Sequence, residues 1–178
     1  MIKTIIVTGS SGEIGTAICK KLIESEYFVI GIDNKKPKIK SSFFQTINVD
    51  LEKISSNENY YHQNKEKIET IIKNRKINGL INSAGFQVFK DFKRLTYRDL
   101  KKSLDINFLS IFRLFRLVEK DLCKNKGFLI NISSIHSSLT KRNFTAYSTS
   151  KSALTSLTKS LSIEVGDKIT CICIEPGA

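Results

Sequence analysis

The sequence contains no apolar run that approaches the length of a membrane-spanning helix. Its first residues, MIKTIIVTGSSGEIG, contain one lysine and a short apolar stretch that leads directly into a glycine-rich turn. That stretch is too short for the apolar part of a secretory signal peptide. We therefore expect a cytoplasmic protein without a membrane partner.

Cysteine is scarce and is not arranged for metal binding. The chain has four cysteines, Cys19, Cys123, Cys171 and Cys173, but no C-x-x-C pair and no Cys/His cluster. Cys171 and Cys173 alternate within an apolar run, so they would point to the same face of one strand and are not expected to bond each other. We expect reduced thiols, as in a cytosolic protein, and no metal.

Acidic residues are too few to balance the basic ones, and the formal net charge is +12 at pH 7. Such a charge can attract nucleic acid or an anionic membrane. The lysines are scattered along the chain, however, and aromatic residues are not interleaved with them as in a surface that stacks bases. We expect no nucleic-acid partner, and a basic surface that helps an anionic cofactor to approach.

Internal linkers and low-complexity segments are also absent, so residues 1–178 are expected to form a single domain. Strand-length apolar runs alternate with helical patterns, which predicts an α/β fold with a doubly wound parallel sheet and helices on both faces. Residues 96–124 are long enough for two helices or one broken helix, and residues 51–66 are expected to be the least structured part. The six predicted strands are KTIIVTG, YFVIGID, FFQTINVD, INGLINSAG, GFLINISS and KITCICIEPG.

The first strand runs into VTGSSGEIG, which places Gly9, Gly12 and Gly15 between a strand and a helix. Gly9 allows a sharp turn, Gly12 lets the backbone approach a pyrophosphate, and Gly15 lets the helix pack closely on the strand. The start of the helix offers free N–H groups to the phosphates, and the hydroxyls of Ser10 and Ser11 can add donors. The motif in this context predicts a Rossmann-like dinucleotide site.

Asp33 ends the second strand, 18 residues after Gly15. An acidic side chain at this distance accepts hydrogen bonds from the adenosine ribose hydroxyls and repels a 2′-phosphate, which favours NAD over NADP. Lys35 and Lys36 follow closely and could instead bind that phosphate. NAD is the predicted cofactor, and NADP stays possible.

Tyr147 and Lys151, in TAYSTSK, are one helical turn apart and would share a helix face. A lysine ammonium in this position favours the phenolate form of the tyrosine, which would let it act as an acid or base. The spacing alone is common, and it fits two surface residues equally well.

With these motifs in chain order, the sequence resembles the short-chain dehydrogenase/reductase family, in its single-domain branch. The markers are TGSSGEIG, Asp50 after the third strand, NSAG at 82–85, the serine–tyrosine–lysine set, and Pro176-Gly177. The resemblance implies that Asp50 and Leu51 contact adenine and that Pro176 and Gly177 pass beside the nicotinamide. The full cofactor set that it implies is Gly9, Ser10, Ser11, Gly12, Ile14, Gly15, Asp33, Asp50, Leu51, Asn82, Ser83, Ala84, Gly85, Tyr147, Lys151, Pro176 and Gly177.

The resemblance also implies four catalytic residues for hydride transfer between the cofactor and an alcohol or ketone. Tyr147 would be the general acid/base, Lys151 its activating cation, and Ser134, 13 residues before Tyr147, would orient the substrate oxygen. Asn107 would hold a water in a proton path. His136, two residues after Ser134, could contact substrate or lie exposed on its loop.

Two departures from the family pattern keep other functions open. The spacing T-G-x-x-G-x-x-G is typical of the extended branch of sugar-nucleotide epimerases and dehydratases, although NSAG and the Ser134–Tyr147 spacing favour the single-domain branch. Family members also continue past Pro-Gly to a final strand, so the resemblance implies that this chain is truncated at its C-terminus. A cofactor-binding remnant without turnover is therefore an alternative.

The helix around FRLFRLVEKDL carries more apolar surface than one face needs, in Phe112, Leu114, Phe115 and Val118. In the resembled family this helix takes part in a contact between subunits. We therefore expect a homo-oligomer, a homodimer or homotetramer, that acts on a small-molecule alcohol or ketone.

Overall fold

The computed structural model describes residues 2–177 and contains a six-stranded sheet with helices on both sides. The strands are β1 Lys3–Thr8, β2 Phe28–Asp33, β3 Phe44–Asn48, β4 Lys76–Asn82, β5 Phe128–Ile132 and β6 Thr170–Ile174. The α-helices are α1 Glu13–Glu24, α2 Leu51–Ser56, α3 Glu58–Ile72, α4 Tyr97–Leu104, α5 Ser110–Lys124 and α6 Thr145–Glu164. Across residues 2–177, no helix has the length and apolarity that a bilayer crossing demands.

All neighbouring strands are parallel, in the order β3-β2-β1-β4-β5-β6. The chain builds outward from β1 to β3, then returns to the other side of β1 and builds outward from β4 to β6. The reversal lies between β1 and β4, where the carboxyl ends of the strands leave a crevice for a ligand. This arrangement confirms the predicted doubly wound, Rossmann-like sheet of six strands.

The central strand β1 is buried on both faces, which explains its continuous apolar run. Ile5 and Val7 pack in a cluster with Cys19 of α1 on one face. Ile6, between them, packs on the opposite face in a larger cluster that includes Phe115 of α5. Successive side chains of a strand alternate between faces, so KTIIVT supplies both layers of the core.

Residues 51–72 correct the expectation that 51–66 is the least structured part, because they form helices α2 and α3. Each helix begins at a side-chain cap. The carboxylate of Asp50 accepts from the Glu52 N–H at 2.9 Å, and the Asn57 side chain accepts from the Tyr60 N–H at 2.9 Å. Such caps satisfy the unpaired N–H groups at a helix start, and buried Ile54 anchors α2 to the core.

The region between Tyr97 and Lys124 is a helix interrupted by one π-helical segment, Asp105–Leu109. This matches the prediction of two helices or one broken helix. The wider turn gives the segment an extra residue relative to an α-helix, and insertions of this kind are frequent at functional sites. Asn107 lies within it and is fully buried.

The aromatic ring of Phe115 fills the larger core cluster and is 1% exposed. We predict that Phe115→Ala lowers the free energy of unfolding by ~3–5 kcal/mol, because it removes buried apolar surface and leaves a cavity. Phe92→Ala, at a ring that is 74% exposed, is the matched control and should cost under ~1 kcal/mol. Urea unfolding measures both, and equal losses would contradict this description of the core.

Candidate active site

The glycine-rich turn after β1 packs directly against the chain that follows β4. Gly9 has φ 66°, and a Cβ there would lie 2.7 Å from the Ala84 backbone. A Cβ on Gly15 would lie 2.1 Å from the Gly9 carbonyl oxygen. Both positions therefore require glycine, as the motif predicted.

Helix α1 begins at this turn without a side-chain cap on its first N–H groups, since Gly12 is its N-cap residue. Free N–H groups at a helix start attract an anion, and here they open onto the carboxyl edge of the sheet. Glu13 is the first residue of α1 and also lines the cleft at this edge.

The hydroxyls of Ser10 and Ser11 do not face the phosphate position, in contrast to the expectation from the sequence. Ser10 is fully buried, and a Cβ built on Gly31 of β2 would lie 2.5 Å from the Ser10 Oγ. The Ser11 hydroxyl donates to the Lys35 carbonyl at 3.2 Å. The backbone of the turn, rather than these hydroxyls, is therefore what an anion would meet.

Asp33 lies at the carboxyl end of β2, where its two oxygens are held by backbone N–H groups. Oδ2 accepts from Ser11 and Oδ1 accepts from Lys35, each at 2.9 Å. Each carboxylate oxygen has a further lone pair, so the fixed carboxylate can still accept from a ligand hydroxyl. A cleft of about 390 Å³ opens beside it, lined also by Asp50, Leu51, Ser83 and Gly85.

Asp50 combines a structural role with a position on the cleft. Its Oδ1 caps α2, and its backbone N–H donates to the Tyr60 hydroxyl at 2.9 Å. Within residues 2–177, its Oδ2 makes no hydrogen bond with another side chain or backbone group. That oxygen is free to accept from a ligand amino group.

A buried chain of polar groups runs beneath the cleft and connects β1, β4, β5 and α6. The Ala84 N–H donates to Thr8 Oγ1 at 3.2 Å, and Thr8 Oγ1 donates to Asn82 Oδ1 at 3.5 Å. Asn82 Nδ2 donates to Asn131 Oδ1, and Asn131 Nδ2 donates to Thr158 Oγ1, both at 2.8 Å. Asn82 is fully buried, so it supports the cleft from below rather than lining it.

Asn107 fastens the loop after β4 to α6. Its Oδ1 accepts from the Phe86 N–H at 2.7 Å, and its Nδ2 donates at 2.8 Å both to the Phe86 carbonyl and to Ser150 Oγ. A Cβ built on Gly85 would lie 3.7 Å from Lys151 Nζ and 3.9 Å from Asn107 Oδ1. Asn107 and Lys151 thus flank the same backbone position.

Lys151 is nearly fully buried, and its ammonium lies beside the end of β5. Nζ donates to the Ile132 carbonyl at 2.7 Å and is 5.8 Å from the centroid of the Tyr147 ring. Burial disfavours the charged form and lowers the pKa of Lys151 from 10.5 to about 8, against a smaller raising influence of Cys173. At neutral pH the side chain is therefore still a cation.

Ser134 and Tyr147 line the same cleft as Lys151, which encloses about 640 Å³. Ser134 Oγ accepts from the His136 N–H at 3.2 Å, so the proton of its own hydroxyl is left to donate elsewhere. Among residues 2–177, no group hydrogen-bonds to the Tyr147 hydroxyl. Both hydroxyls are available to a ligand in the cleft.

The two clefts share Gly9, Gly12, Ser83 and Gly85, so they form one groove along the carboxyl edge of the sheet. The groove brings together most of the residues that the sequence singled out, while Ser10, Ser11, Asn82 and Asn107 lie behind it. Pro176 and Gly177 line its second half, where the Ile135 N–H donates to the Pro176 carbonyl at 3.1 Å.

Eight further residues line this second half, and of these the sequence singled out only His136 as a residue that could contact substrate. Lys141 and Phe144 lie a few residues before Tyr147, and this proximity in the sequence is the signal that could have identified them. Gln87 lies two residues after NSAG, and Ile132 lies within the predicted fifth strand, GFLINISS. The eight are Glu13, Gln87, Ile132, Ser133, Ile135, His136, Lys141 and Phe144.

Comparison with known proteins identifies the class of protein that this fold and groove define. The profile of the family described as short chain dehydrogenase matches residues 3–178. The chain belongs to the short-chain dehydrogenase/reductase family. It is accordingly an oxidoreductase of the NAD(P)-dependent class.

Individual relatives are similar across nearly the whole chain. The acetoacetyl-CoA reductase of Acinetobacter sp. (strain RA3849) is 27% identical over 183 residues, which cover 98% of this chain and 73% of the reductase. The 3-oxoacyl-[acyl-carrier-protein] reductase FabG of Rickettsia felis is 34% identical over 178 residues, covering 98% of this chain and 72% of FabG. A solved structure of 4-hydroxyisoleucine dehydrogenase complexed with NADH has a TM-score of 0.88 at 28% identity, covering 99% of this chain and 73% of the dehydrogenase.

The buried ammonium of Lys151 makes stability depend on pH in a defined direction. Between pH 10.5 and about pH 8 the unfolded lysine binds a proton while the folded lysine does not, so stability falls as the pH falls through this window. We predict that the wild type gains on the order of 3 kcal/mol relative to Lys151→Met as the pH rises from 8 to 10.5.

Urea unfolding of both proteins at several pH values measures this difference, in which the other titrating groups cancel. Lys124→Met, at an exposed lysine that ends α5, is the control and should track the wild type at every pH. A difference between wild type and Lys151→Met that is independent of pH would contradict the assignment of a desolvated ammonium.

Proposed function

We propose that this chain transfers a hydride between a nicotinamide dinucleotide and an alcohol or ketone, with Tyr147 as general acid/base. The observation that carries the proposal is the shared groove. Ser134, Tyr147 and Lys151 line one half of it, and the glycine turn, which belongs to both halves, leads to Asp33 in the other. A nicotinamide dinucleotide could occupy both halves, with its nicotinamide beside Tyr147 and its adenosine beside Asp33.

The residues of the groove fit this cofactor. The uncapped start of α1 suits a pyrophosphate, and the carboxylate of Asp33 suits ribose hydroxyls. The free Oδ2 of Asp50 suits the amino group of adenine. Several matched structures carry NADH or NAD in their descriptions, which supports NAD as the cofactor here as well.

When bound, the nicotinamide supplies the hydride chemistry, and the protein supplies positions and charge. The Ser134 hydroxyl donates a hydrogen bond to the substrate oxygen and so holds that oxygen near Tyr147. The Tyr147 hydroxyl gives a proton to that oxygen during reduction and takes it during oxidation. The Lys151 cation stabilises the phenolate left behind, and its bond to the Ile132 carbonyl fixes its place.

Asn107 is proposed to act mainly by position. Its amide already bonds to both backbone groups of Phe86 and to Ser150, so it holds the loop and α6 on either side of Gly85. A water-mediated proton path from Lys151 past Asn107 to solvent stays part of the proposal.

We also propose that the chain forms a homo-oligomer through the α4–α5 region. Leu114, Phe115 and Val118 are used in the core, but Leu109 and Phe112 are 40% and 43% exposed. Paired apolar side chains of this kind on one helix suit a contact with a second copy.

Tyr147→Phe tests the catalytic assignment without removing a structural contact, because its hydroxyl bonds to no other described group. We predict that turnover falls by ~10²-fold or more, the usual contribution of a general acid/base. NADH binding and the melting temperature should stay close to wild type. Tyr97→Phe, at a tyrosine that is 79% exposed, is the matched control and should retain full turnover.

The measurement is NADH absorbance during oxidation of a panel of secondary alcohols. Unchanged turnover in Tyr147→Phe would remove Tyr147 from the mechanism. Tight NADH binding by a wild type that oxidises no alcohol and reduces no ketone would instead favour a cofactor-binding protein without turnover.

Substitutions at Asp33 and Lys35 test whether the chain prefers NAD or NADP. We predict that Asp33→Asn improves NADPH binding relative to NADH by about tenfold, since it removes the charge that repels a 2′-phosphate while keeping an acceptor for the Lys35 N–H. Lys35→Gln should leave the ratio of the two dissociation constants unchanged. If Lys35→Gln weakens NADPH binding and Asp33→Asn has no effect, the preference for NAD is wrong. Fluorescence titration of both reduced cofactors gives the ratio.

A further inference from the structure

We propose that the groove contains a carboxylate-binding subsite formed by Lys141 and His136, so that the substrate is a hydroxy- or ketocarboxylate. The inference rests on the proposed function, whose substrate class it names. The carboxylate would sit beside these two side chains, while the reacting oxygen meets Ser134 and Tyr147. The carboxylate itself is not altered in the reaction.

Phe144 brings the two basic side chains and Tyr147 into one neighbourhood. Its buried ring has a centroid 4.4 Å from that of His136 and 6.1 Å from that of Tyr147. Lys141 Nζ lies over the same ring, 4.8 Å from its centroid. The three polar side chains thus lie around one ring, and a short carbon chain in the groove would extend from an anion beside Lys141 and His136 to the reacting oxygen.

The Lys141 ammonium has no counter-charge in the part of the chain that the structure describes. It forms no ion pair or hydrogen bond there, whereas the neighbouring Lys90 pairs with Asp99 at 2.7 Å. Asp91 is also occupied, since it accepts from the Lys93 N–H. Glu13 is the one carboxylate among the groove residues of this half, and it lies at the start of α1 beside the glycine turn.

Of the two ring nitrogens of His136, one is hydrogen-bonded within residues 2–177 and the other is not. Its Nδ1 lies 3.0 Å from the Leu139 carbonyl oxygen, which can only accept, so Nδ1 carries a proton. Among residues 2–177, Nε2 has no hydrogen-bond partner and is available to a ligand in the groove. His136 is half-buried and lines the groove together with Lys141.

The segment that carries Lys141 is anchored rather than loose. Asn143 has φ 71°, a left-handed conformation that turns the chain between Lys141 and buried Phe144. The Asn143 carbonyl accepts from the Lys90 N–H at 3.1 Å, which ties this segment to the loop after β4. A cation on an anchored segment loses less entropy when it binds an anion than one on a free chain.

The experiment compares binding of 2-, 3- and 4-hydroxybutyrate with that of their methyl esters, in the presence of NAD, by ligand-observed NMR titration. In the wild type, at least one carboxylate should bind about tenfold or more tightly than its ester, because a charge-assisted hydrogen bond is lost in the ester. Lys141→Gln should remove that preference and change ester binding by less than about twofold. His136→Phe should reduce the preference by about threefold.

Lys124→Gln is the matched control, because it removes an equal charge at the end of α5, outside the residues that line the groove. It should leave every dissociation constant unchanged. The subsite is excluded if no carboxylate is preferred over its ester, or if Lys124→Gln lowers the preference as much as Lys141→Gln does.

Turnover separates this inference from the proposed function. A preferred carboxylate that binds through Lys141 but is oxidised by neither wild type nor Tyr147→Phe would support the subsite and contradict the hydride-transfer proposal. Oxidation of uncharged alcohols by a wild type that binds no carboxylate more tightly than its ester would support hydride transfer and contradict the subsite.

Discussion

The site depends on the buried amide chain from Asn82 through Asn131 to Thr158. These groups join two strands and α6 beneath the groove, where each is at most 2% exposed and water cannot replace a lost partner. An unpaired amide at such a depth is costly, so each member fixes the next. Since α6 carries both Tyr147 and Lys151, its docking on β5 sets where these two side chains, the proposed acid/base and its cation, lie relative to the sheet edge.

The docking of α6 also buries the ammonium group of Lys151, which lowers the stability of the fold. Lys151 is held against the Ile132 carbonyl with 3% of its surface exposed, and burial lowers its pKa to about 8. A cation kept in so dry a place acts more strongly on a neighbouring phenol than a solvated lysine would, because fewer water dipoles screen it. Stability is therefore lower than an apolar side chain would allow, and the proposed mechanism uses the retained cation to stabilise the Tyr147 phenolate.

The six parallel strands and the glycine turn could be predicted because each is marked by a local pattern. Continuous apolar runs marked strands buried on both faces, and Gly9 and Gly15 stand where a Cβ would strike the backbone. Residues 51–66 were misjudged because polar composition concealed two capped helices, whose starts at Asp50 and Asn57 follow from side-chain hydrogen bonds. The roles of Ser10 and Asn82 could not be predicted from the motif, since burial beneath the groove depends on the packing of distant strands.

The second half of the groove contains some residues that belong to a sequence motif and others that do not. Ser134, Tyr147 and Lys151, the proposed proton-transfer residues, stand at spacings that match the family pattern, so the sequence displays them. Lys141 and His136 belong to no such motif, and the fold places both side chains against the ring of Phe144. The residues of the proposed reaction can thus be identified from their order along the chain, whereas those of the proposed carboxylate subsite depend on how the loops at the sheet edge fold.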